Sequence, residues 1–307
     1  MRMLPTKDIP KEIWQKRMLH LPKSLQKTYK LLLQKYDRWD MALSSIDPSK
    51  NPIGGISEAE TLEHFARRFG VSSSRLNGLV IDPDSAFSDI PDDIISSFSE
   101  GRITILDLAC GTGAVGLSIL STVSVLRSHN KLPKLPLDVR ILGGDCSALA
   151  LDIYMQMIHN LDPIFKAEGI NVSLETHCWQ AEDTYNTSKM LDILFDSGSI
   201  CQEFIIIVAN FAGSLSQQFE NFKDSMSYIF TRSGNKPCTI IWVESQVSKA
   251  HRIFKLIKNL LNRYSPWFNS SQVKPLSYEY DWFHPFILTR MDCRILVKEY
   301  KRHLLYE

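Results

Sequence analysis

A glycine-rich turn directly after an apolar run constrains the fold of this chain more than any other feature. The run Ile103–Leu108 is typical of a buried strand, and it leads into Asp107-Leu-Ala-Cys-Gly-Thr-Gly-Ala-Val-Gly116. Glycines at 111 and 113 permit backbone dihedrals that a side chain forbids, and they let the backbone approach a ligand closely. The apolar residues that continue to about Leu126 predict a helix, whose first amide groups favour electronegative ligand atoms. The segment therefore predicts a strand, a ligand-binding turn and a helix.

The same alternation of strand and helix continues to the end of the sequence. Apolar runs predict four more strands, at Asp138–Gly144, Val172–Cys178, Phe204–Ala209 and Cys238–Glu244. Helical periodicity covers Ser147–Ala167 and Val247–Arg263, and an antiparallel pair is predicted at Tyr278–Trp282 and Cys293–Glu299. This pattern predicts an α/β fold with a doubly wound, mostly parallel, seven-stranded sheet. Such sheets bind ligands at the carboxyl ends of their strands.

The first third of the chain shows helical periodicity instead of alternating strands and helices. Apolar residues recur at helical spacing between Leu25 and Tyr36, and Ser57 with Glu60 predicts the capping box of a second helix. Asp47–Gly55, rich in proline and glycine, is predicted to be a linker. We therefore divide the chain into a helical, basic N-terminal region, residues 1–94, and an α/β domain, residues 95–307.

The acid before the turn distinguishes a dinucleotide ligand from an adenosyl ligand without phosphate. The spacing of Gly111, Gly113 and Gly116 also fits a dinucleotide fingerprint, but Asp107 would repel a pyrophosphate in the same loop. It suits S-adenosylmethionine (SAM), which carries a sulfonium and an ammonium group and no phosphate. The segment Ile105-Leu-Asp-Leu-Ala-Cys-Gly-Thr-Gly113 resembles the first motif of the class I SAM-dependent methyltransferases. This resemblance identifies 95–307 as a methyltransferase domain.

The resemblance also implies which residues bind the cofactor. The turn would hold its methionine part, an acid after the second strand its ribose, and the residues after the third strand its adenine. Glu182 and Asp183 compete with Gln180 for the adenine contact, and either acid also suits a helix cap. The residues that we expect to contact SAM are Asp107, Ala109, Gly111, Gly113, Asp145, Cys146, Gln180, Ala181 and Asn210.

The segment after the fourth strand indicates which kinds of atom could accept the methyl group. Val208-Ala-Asn-Phe-Ala-Gly213 lacks the proline-containing tetrad of methyltransferases that act on amino nitrogens. Pro237-Cys238 begins a strand on the wrong side of the sheet for the cofactor, so we interpret Cys238 as core rather than as a nucleophile. Residues 205–215, followed by Ile240-Ile-Trp-Val-Glu244, are loosely similar to methyltransferases associated with small ribosomal subunits, without their cysteine cluster.

Charge is distributed unevenly along the sequence. Residues 1–40 carry ten Lys/Arg and four Asp/Glu, and residues 246–307 carry eleven and five, whereas the rest has fourteen and twenty-five. Basic ends favour an anionic partner, so the predicted acceptor is RNA or a ribonucleoprotein. The helix with Arg252, Lys255 and Lys258 has one basic face, which either follows phosphates or is simply solvated. A protein partner of the N-terminal helices is a further prediction.

Several alternatives stay open on sequence alone. If RNA is not the acceptor, the methyl group goes to a small molecule or a protein side chain. Another alternative is a non-catalytic SAM-binding subunit. A nicotinamide-dependent oxidoreductase is disfavoured by Asp107. Glu244 is a possible substrate contact, and His284 is interpreted as structural. Six cysteines without a CxxC pair disfavour zinc and disulfide scaffolds, so no metal is predicted. With no signal peptide or membrane span, we expect a cytoplasmic protein.

Overall fold

The computed structural model describes residues 2–44, 57–195, 203–233, 237–245, 247–264, 268–269 and 274–302 of the 307-residue chain. The side chains of 212–219, 247–250 and 269 are not described. The predicted linker Asp47–Gly55 lies outside the described residues.

Within these ranges, ten strands form one sheet. They are β1 (Trp14–Gln15), β2 (Met18–Leu19), β3 (Gly101–Leu108), β4 (Leu137–Asp145), β5 (Ile170–Cys178), β6 (Glu203–Ala209), β7 (Cys238–Glu244), β8 (Phe268–Asn269), β9 (Leu276–His284) and β10 (Thr289–Arg302). All seven predicted strands are confirmed, and β9 and β10 form the predicted antiparallel pair.

The helices flank this sheet. They are α1 (Lys23–Lys35), α2 (Trp39–Leu43), α3 (Glu58–Ile81), α4 (Ile90–Ser97), α5 (Ala114–Ser128), α6 (Ala148–Ala167), α7 (Thr184–Phe195), α8 (Ala212–Ser233) and α9 (Val247–Tyr264). The predicted capping box of α3 is confirmed, because Glu60 N donates to Ser57 Oγ and Ser57 N donates to Glu60 Oε2.

The strands lie in the order β1-β2-β9-β10-β7-β6-β3-β4-β5, with β8 paired to β10. Strands β3 to β7 are parallel to one another, and β10 is antiparallel to both of its long neighbours, β7 and β9. The mostly parallel, doubly wound sheet is confirmed. The predicted number of seven strands was wrong, because a hairpin of β1 and β2 extends the sheet beyond β9 and the short β8 pairs with β10.

The hairpin escaped prediction because of its turn residues. Lys16 and Arg17 have φ of 50° and 59°, in the left-handed region. Two-residue hairpin turns of this kind usually carry Asn or Gly. A Lys-Arg pair gives no such signal, and the surrounding sequence reads as a charged helix.

Each face of the sheet has its own core. On one face, alternate strand residues such as Ile103, Ile105 and Ile141 pack with α1 and α3–α6. On the other, Leu106, Leu108 and their neighbours pack with α7, α8 and α9. Residues from α1 and β2 belong to the first cluster, so the N-terminal segment is continuous with the core of the α/β fold. None of the described helices has the length and apolar character needed to cross a membrane.

Candidate active site

The glycine-rich turn folds into the left-handed region at three positions. Ala109, Gly111 and Gly113 have φ of 51°, 52° and 82°. Each side chain placed there costs about 1–2 kcal/mol, because its Cβ approaches the following carbonyl. Ala109 carries that strain, and the two glycines avoid it. The turn reverses the chain at the end of β3 and starts α5 at Ala114.

Tyr154 of α6 explains why the neighbouring residues are also glycine. A Cβ on Gly113 would lie 2.1 Å from the Cδ2 atom of Tyr154, and a Cβ on Gly116 would lie 2.2 Å from its hydroxyl oxygen. The ring is fully buried, and its hydroxyl donates to Asp107 Oδ2 at 3.3 Å. Sequence reasoning missed Tyr154; the only signal was the set of glycines that makes room for it.

Gly111 is different, because a Cβ there would meet nothing within 4 Å. Its amide donates to Asp145 Oδ2 at 2.8 Å, across the ends of β3 and β4. The turn therefore presents open space at Gly111, beside a carboxylate. This opening is the cradle that a ligand needs at the carboxyl edge of the sheet.

Asp107 lies beneath the turn rather than on its open surface. The residue is 0% exposed, and burial raises the pKa of its carboxyl group to about 7. Hydrogen bonds from Tyr154 and from the amide of Gly116 oppose that rise, and the charge of Asp145 adds to it. Its Oδ1 atom is buried and accepts no hydrogen bond from the described residues. Such an atom is costly to leave unpaired, so this corner favours a nearby positive charge.

Asp145 is half-buried at the end of β4, as the resemblance implied for a ribose-binding acid. Its Oδ1 accepts from Ser147 N at 2.9 Å, which leaves the carboxylate fixed in place at the edge of the cradle. Burial raises its pKa. The adjacent Cys146 is exposed, and its carbonyl oxygen lies 3.5 Å from Cys178 Sγ at the end of β5.

The residues after β5 lie at the same edge. Gln180 is exposed and Ala181 is half-buried against the apolar cluster that contains Trp179. Asp183 Oδ1 accepts from the amides of Tyr185 and Asn186 and so caps α7. Of the candidates for an adenine contact, Asp183 caps α7, and both Gln180 and Glu182 have exposed side chains.

Asn210 follows β6, with φ of 57°. Its side-chain amide is engaged at both ends by α3: Arg75 donates to its oxygen at 2.9 Å, and its nitrogen donates to Ser72 Oγ at 3.2 Å. Glu244 supports the next residue, because its Oε1 accepts from Phe211 N at 3.0 Å and from Trp242 Nε1 at 2.8 Å. Glu244 is 2% exposed and holds the loop in place. No pattern in the sequence predicted these contacts of Arg75 and Ser72.

Two other residues have structural roles. His284 is buried, and its Nδ1 faces the amides of Phe286 and Ile287 at 3.3 Å in the turn between β9 and β10. Burial lowers its pKa to about 4. Cys238 is 3% exposed and packs in the second core cluster, as predicted.

The predicted contacts thus gather at one edge of the sheet, at the ends of the neighbouring strands β5, β4, β3 and β6. If the seven long strands are numbered 1 to 7 along the chain, their order across the sheet is 3-2-1-4-5-7-6. Strand 7 (β10) is antiparallel to its neighbours. The chain has a Rossmann-like, doubly wound α/β fold with a mostly parallel sheet.

A search of solved structures finds distant similarity to several methyltransferases. A SAM-dependent methyltransferase from Aquifex aeolicus matches at 10% identity and a TM-score of 0.38, over 75% of this chain and 98% of that one. Precorrin-6y C5,15-methyltransferase from Geobacter metallireducens matches at 9% identity and a TM-score of 0.37, over 70% of this chain and 89% of that one. The Pyrococcus abyssi tRNA (uracil-54, C5)-methyltransferase matches at 10% identity and a TM-score of 0.29, over 69% of this chain and 37% of that one.

No family model matches the sequence, and no curated protein matches it.

Proposed function

We propose that this chain binds SAM at the carboxyl edge of β3, β4 and β5 and transfers its methyl group to an acceptor. The observation that carries this proposal is the open cradle at Gly111, whose amide donates to the half-buried Asp145. The Oδ1 of Asp107 beneath the turn is an unpaired buried acceptor, and a cationic cofactor nearby would favour the ionised form of this carboxyl group, whose pKa burial raises to about 7.

The residues at this edge match the parts of the cofactor. Asp145 supplies carboxylate oxygens that accept hydrogen bonds from ribose hydroxyls. Ala109, Ala181 and Phe211 are half-buried and apolar, and they form a surface suited to a purine. Bound SAM supplies an electrophilic methyl group. The chain then has to hold the acceptor atom in line with that group and exclude water, which accounts for much of the rate in such reactions.

Calorimetric titration with SAM, S-adenosylhomocysteine and NAD tests the cofactor. We expect the two adenosyl ligands to bind saturably and Asp145→Asn to weaken both at least tenfold. Asp138→Asn, at the opposite end of β4 and exposed, is the matched control and should bind normally. Binding of NAD without binding of the adenosyl ligands would overturn the proposal.

We propose RNA as the acceptor because of the surface of α9. This helix carries five Lys/Arg and no Asp/Glu, and it begins three residues after β7 ends at the carboxyl edge. Its residues Arg252, Lys255 and Lys258 are exposed, while Ile253, Phe254 and Ile257 are buried. A row of cations that leads away from the active-site edge suits a phosphate backbone.

Binding of cellular RNA as a function of salt tests the acceptor. We expect affinity to fall steeply with salt, and Lys255→Glu with Lys258→Glu to lower it at least tenfold. Lys166→Glu, on the other face of the sheet, is the control and should have little effect. Transfer of a labelled methyl group to RNA is the decisive readout. Transfer to small molecules or proteins alone would replace RNA as acceptor, and cofactor binding without transfer to any pool would indicate a non-catalytic subunit.

A further inference from the structure

A helix of the N-terminal region holds the loop that follows β6. Arg75 Nη1 of α3 donates to Asn210 Oδ1 at 2.9 Å, and Asn210 Nδ2 donates to Ser72 Oγ at 3.2 Å. Arg75 is itself anchored, because its Nε donates to the carbonyl oxygen of Arg294 in β10 at 3.2 Å. One guanidinium group therefore joins α3, β10 and this loop.

These contacts fix Asn210 in an unusual backbone conformation. Its φ is 57°, in the left-handed region, which asparagine visits when its side chain is held by hydrogen bonds. The oxygen and the nitrogen of its amide group are both engaged by α3, and its backbone N donates to Val243 O at 2.9 Å. The direction of the chain after β6 thus depends on the contact with Arg75.

The strand order places this loop beside the reactive end of the proposed cofactor site. β4 and β6 lie on opposite sides of β3 in the sheet. In the proposed function, Asp145 after β4 binds the ribose and the residues after β5 bind the adenine. The methyl end of the cofactor then lies toward β3 and β6, so the acceptor has to approach beside the loop after β6.

The next residue, Phe211, connects the loop to the rest of the site. Its ring centroid lies 6.1 Å from that of Trp179 after β5 and 5.6 Å from that of Phe222 in α8. Because β3 and β4 separate β5 from β6, the contact with Trp179 spans the ends of both strands. A displaced loop would therefore move the apolar wall of the site, and a misplacement of about 1 Å can cost about 100-fold in rate.

We propose that Arg75 is a positioning residue for methyl transfer, which acts through Asn210 and fixes the loop after β6 where the acceptor approaches. This inference rests on the proposed function, because it concerns the same site. It also gives α3, which precedes the α/β domain in the chain, a part in the reaction. Because Arg75 contacts the loop rather than the cofactor, its loss slows transfer without weakening cofactor binding.

Substitution of Arg75, with Arg67 as the matched control, tests this role. Arg67 is on the same helix, and its described partners, Glu63 at 3.0 Å and Ser44 at 3.4 Å, lie outside the loop. The readouts are transfer of a labelled methyl group from saturating SAM to cellular RNA and the dissociation constant of S-adenosylhomocysteine. Arg75→Met lowers the transfer rate at least tenfold and keeps the dissociation constant within twofold, whereas Arg67→Met changes neither. Arg75→Lys, which keeps the charge and one donor, loses threefold at most.

A double-mutant cycle shows whether Arg75 acts through Asn210. Asn210→Ala removes the oxygen to which Arg75 donates, so the further substitution Arg75→Met then lowers the transfer rate by less than twofold. Full multiplication of the two single effects would overturn this route of action. A transfer rate of Arg75→Met equal to that of Arg67→Met would overturn the positioning role itself.

Hydrogen exchange provides a readout that needs neither cofactor nor acceptor. The amides of Asn210 and Phe211 are hydrogen-bonded, as is that of Gly111 in the turn after β3. We expect Arg75→Met to raise the exchange rates of the first two at least tenfold and to leave that of Gly111 unchanged. Unchanged exchange in the loop, or an equal rise at Gly111, overturns the inference. A wild type that binds neither adenosyl ligand contradicts the proposed function instead, and the exchange rates then still decide whether Arg75 holds the loop.

Discussion

At the scale of single residues, the turn after β3 has one closed side and one open side. The ring of Tyr154 fills the space beside Gly113, whereas the space beside Gly111 is empty. We expect Gly113→Ala to lower the free energy of unfolding by about 3 kcal/mol, since it adds a clash in the core to the strain of a positive φ. Gly111→Ala should cost only about 1–2 kcal/mol, from the strain alone. Urea unfolding of the two variants measures both, and equal losses would contradict the packing described.

The hydroxyl of Tyr154 makes a second prediction possible. A Cβ on Gly116 would clash with that oxygen at 2.2 Å, while the next ring atom is 3.4 Å away. Gly116→Ala should therefore destabilise the wild type but have little effect when Tyr154→Phe has removed the oxygen. A double-mutant cycle by urea unfolding should give a coupling energy of about 1–3 kcal/mol. Strictly additive effects would show that Gly116 is not in contact with Tyr154.

Asp107 should make stability depend on pH. Burial raises its pKa to about 7, whereas an unfolded Asp titrates near about 4. Between these values only the native state keeps the proton, so the stability that this residue contributes is complete below about pH 4 and is lost as the pH rises to about 7. We expect the wild type to lose up to about 1.4 kcal/mol per pH unit relative to Asp107→Asn in this range.

Urea unfolding at pH 5, 6, 7 and 8 measures that difference. Asp138→Asn, which replaces an exposed carboxylate of the next strand, is the control for the loss of a carboxylate as such. A constant difference for Asp107→Asn would mean that the carboxyl group is ionised throughout.

At the scale of elements, the loop after β6 is held by β7 through Glu244. Glu244→Ala leaves Trp242 Nε1 and the amide of Phe211 without this acceptor, and each buried donor left unpaired costs about 1–3 kcal/mol. We expect a total loss of about 2–4 kcal/mol. Glu244→Gln keeps a carbonyl oxygen at the same position and should lose less than half as much. Unfolding followed by tryptophan fluorescence compares the two, and equal losses would assign the effect to the charge instead.

The elements also show which features a sequence reveals. Buried parallel strands such as β3 and β6 are nearly continuous apolar runs, so their positions were predictable. The cradle was predictable from Gly111 and Gly113, because glycine is required where φ is positive. The contacts of Tyr154 with Asp107, of Arg75 with Asn210 and of Glu244 with Trp242 and Phe211 were not. They depend on how separate elements pack, and tertiary packing leaves little periodic trace in one sequence.

At the scale of the whole molecule, the N-terminal segment shares its core with the sheet. Leu19, Leu25 and Tyr29 belong to the same buried cluster as Ile105 and Ile141, and Arg2 forms an ion pair with Asp82 at 2.6 Å. We expect one cooperative unfolding transition, with coincident midpoints from fluorescence and far-ultraviolet circular dichroism. The division of the chain between residues 94 and 95 remains a prediction, and two separate transitions would favour it.

The pairing of β2 with β9 has a consequence for biosynthesis. Met18 and Leu19 pair with Asp281 and Trp282, which are synthesised much later. At a synthesis rate of about 5–20 residues per second, the partner strand follows only after about 13–50 seconds. During that interval the apolar side chains of the N-terminal hairpin have to be shielded by chaperones or by transient contacts. A chain whose synthesis stops before β9 is complete therefore lacks the strand through which β2 joins the sheet.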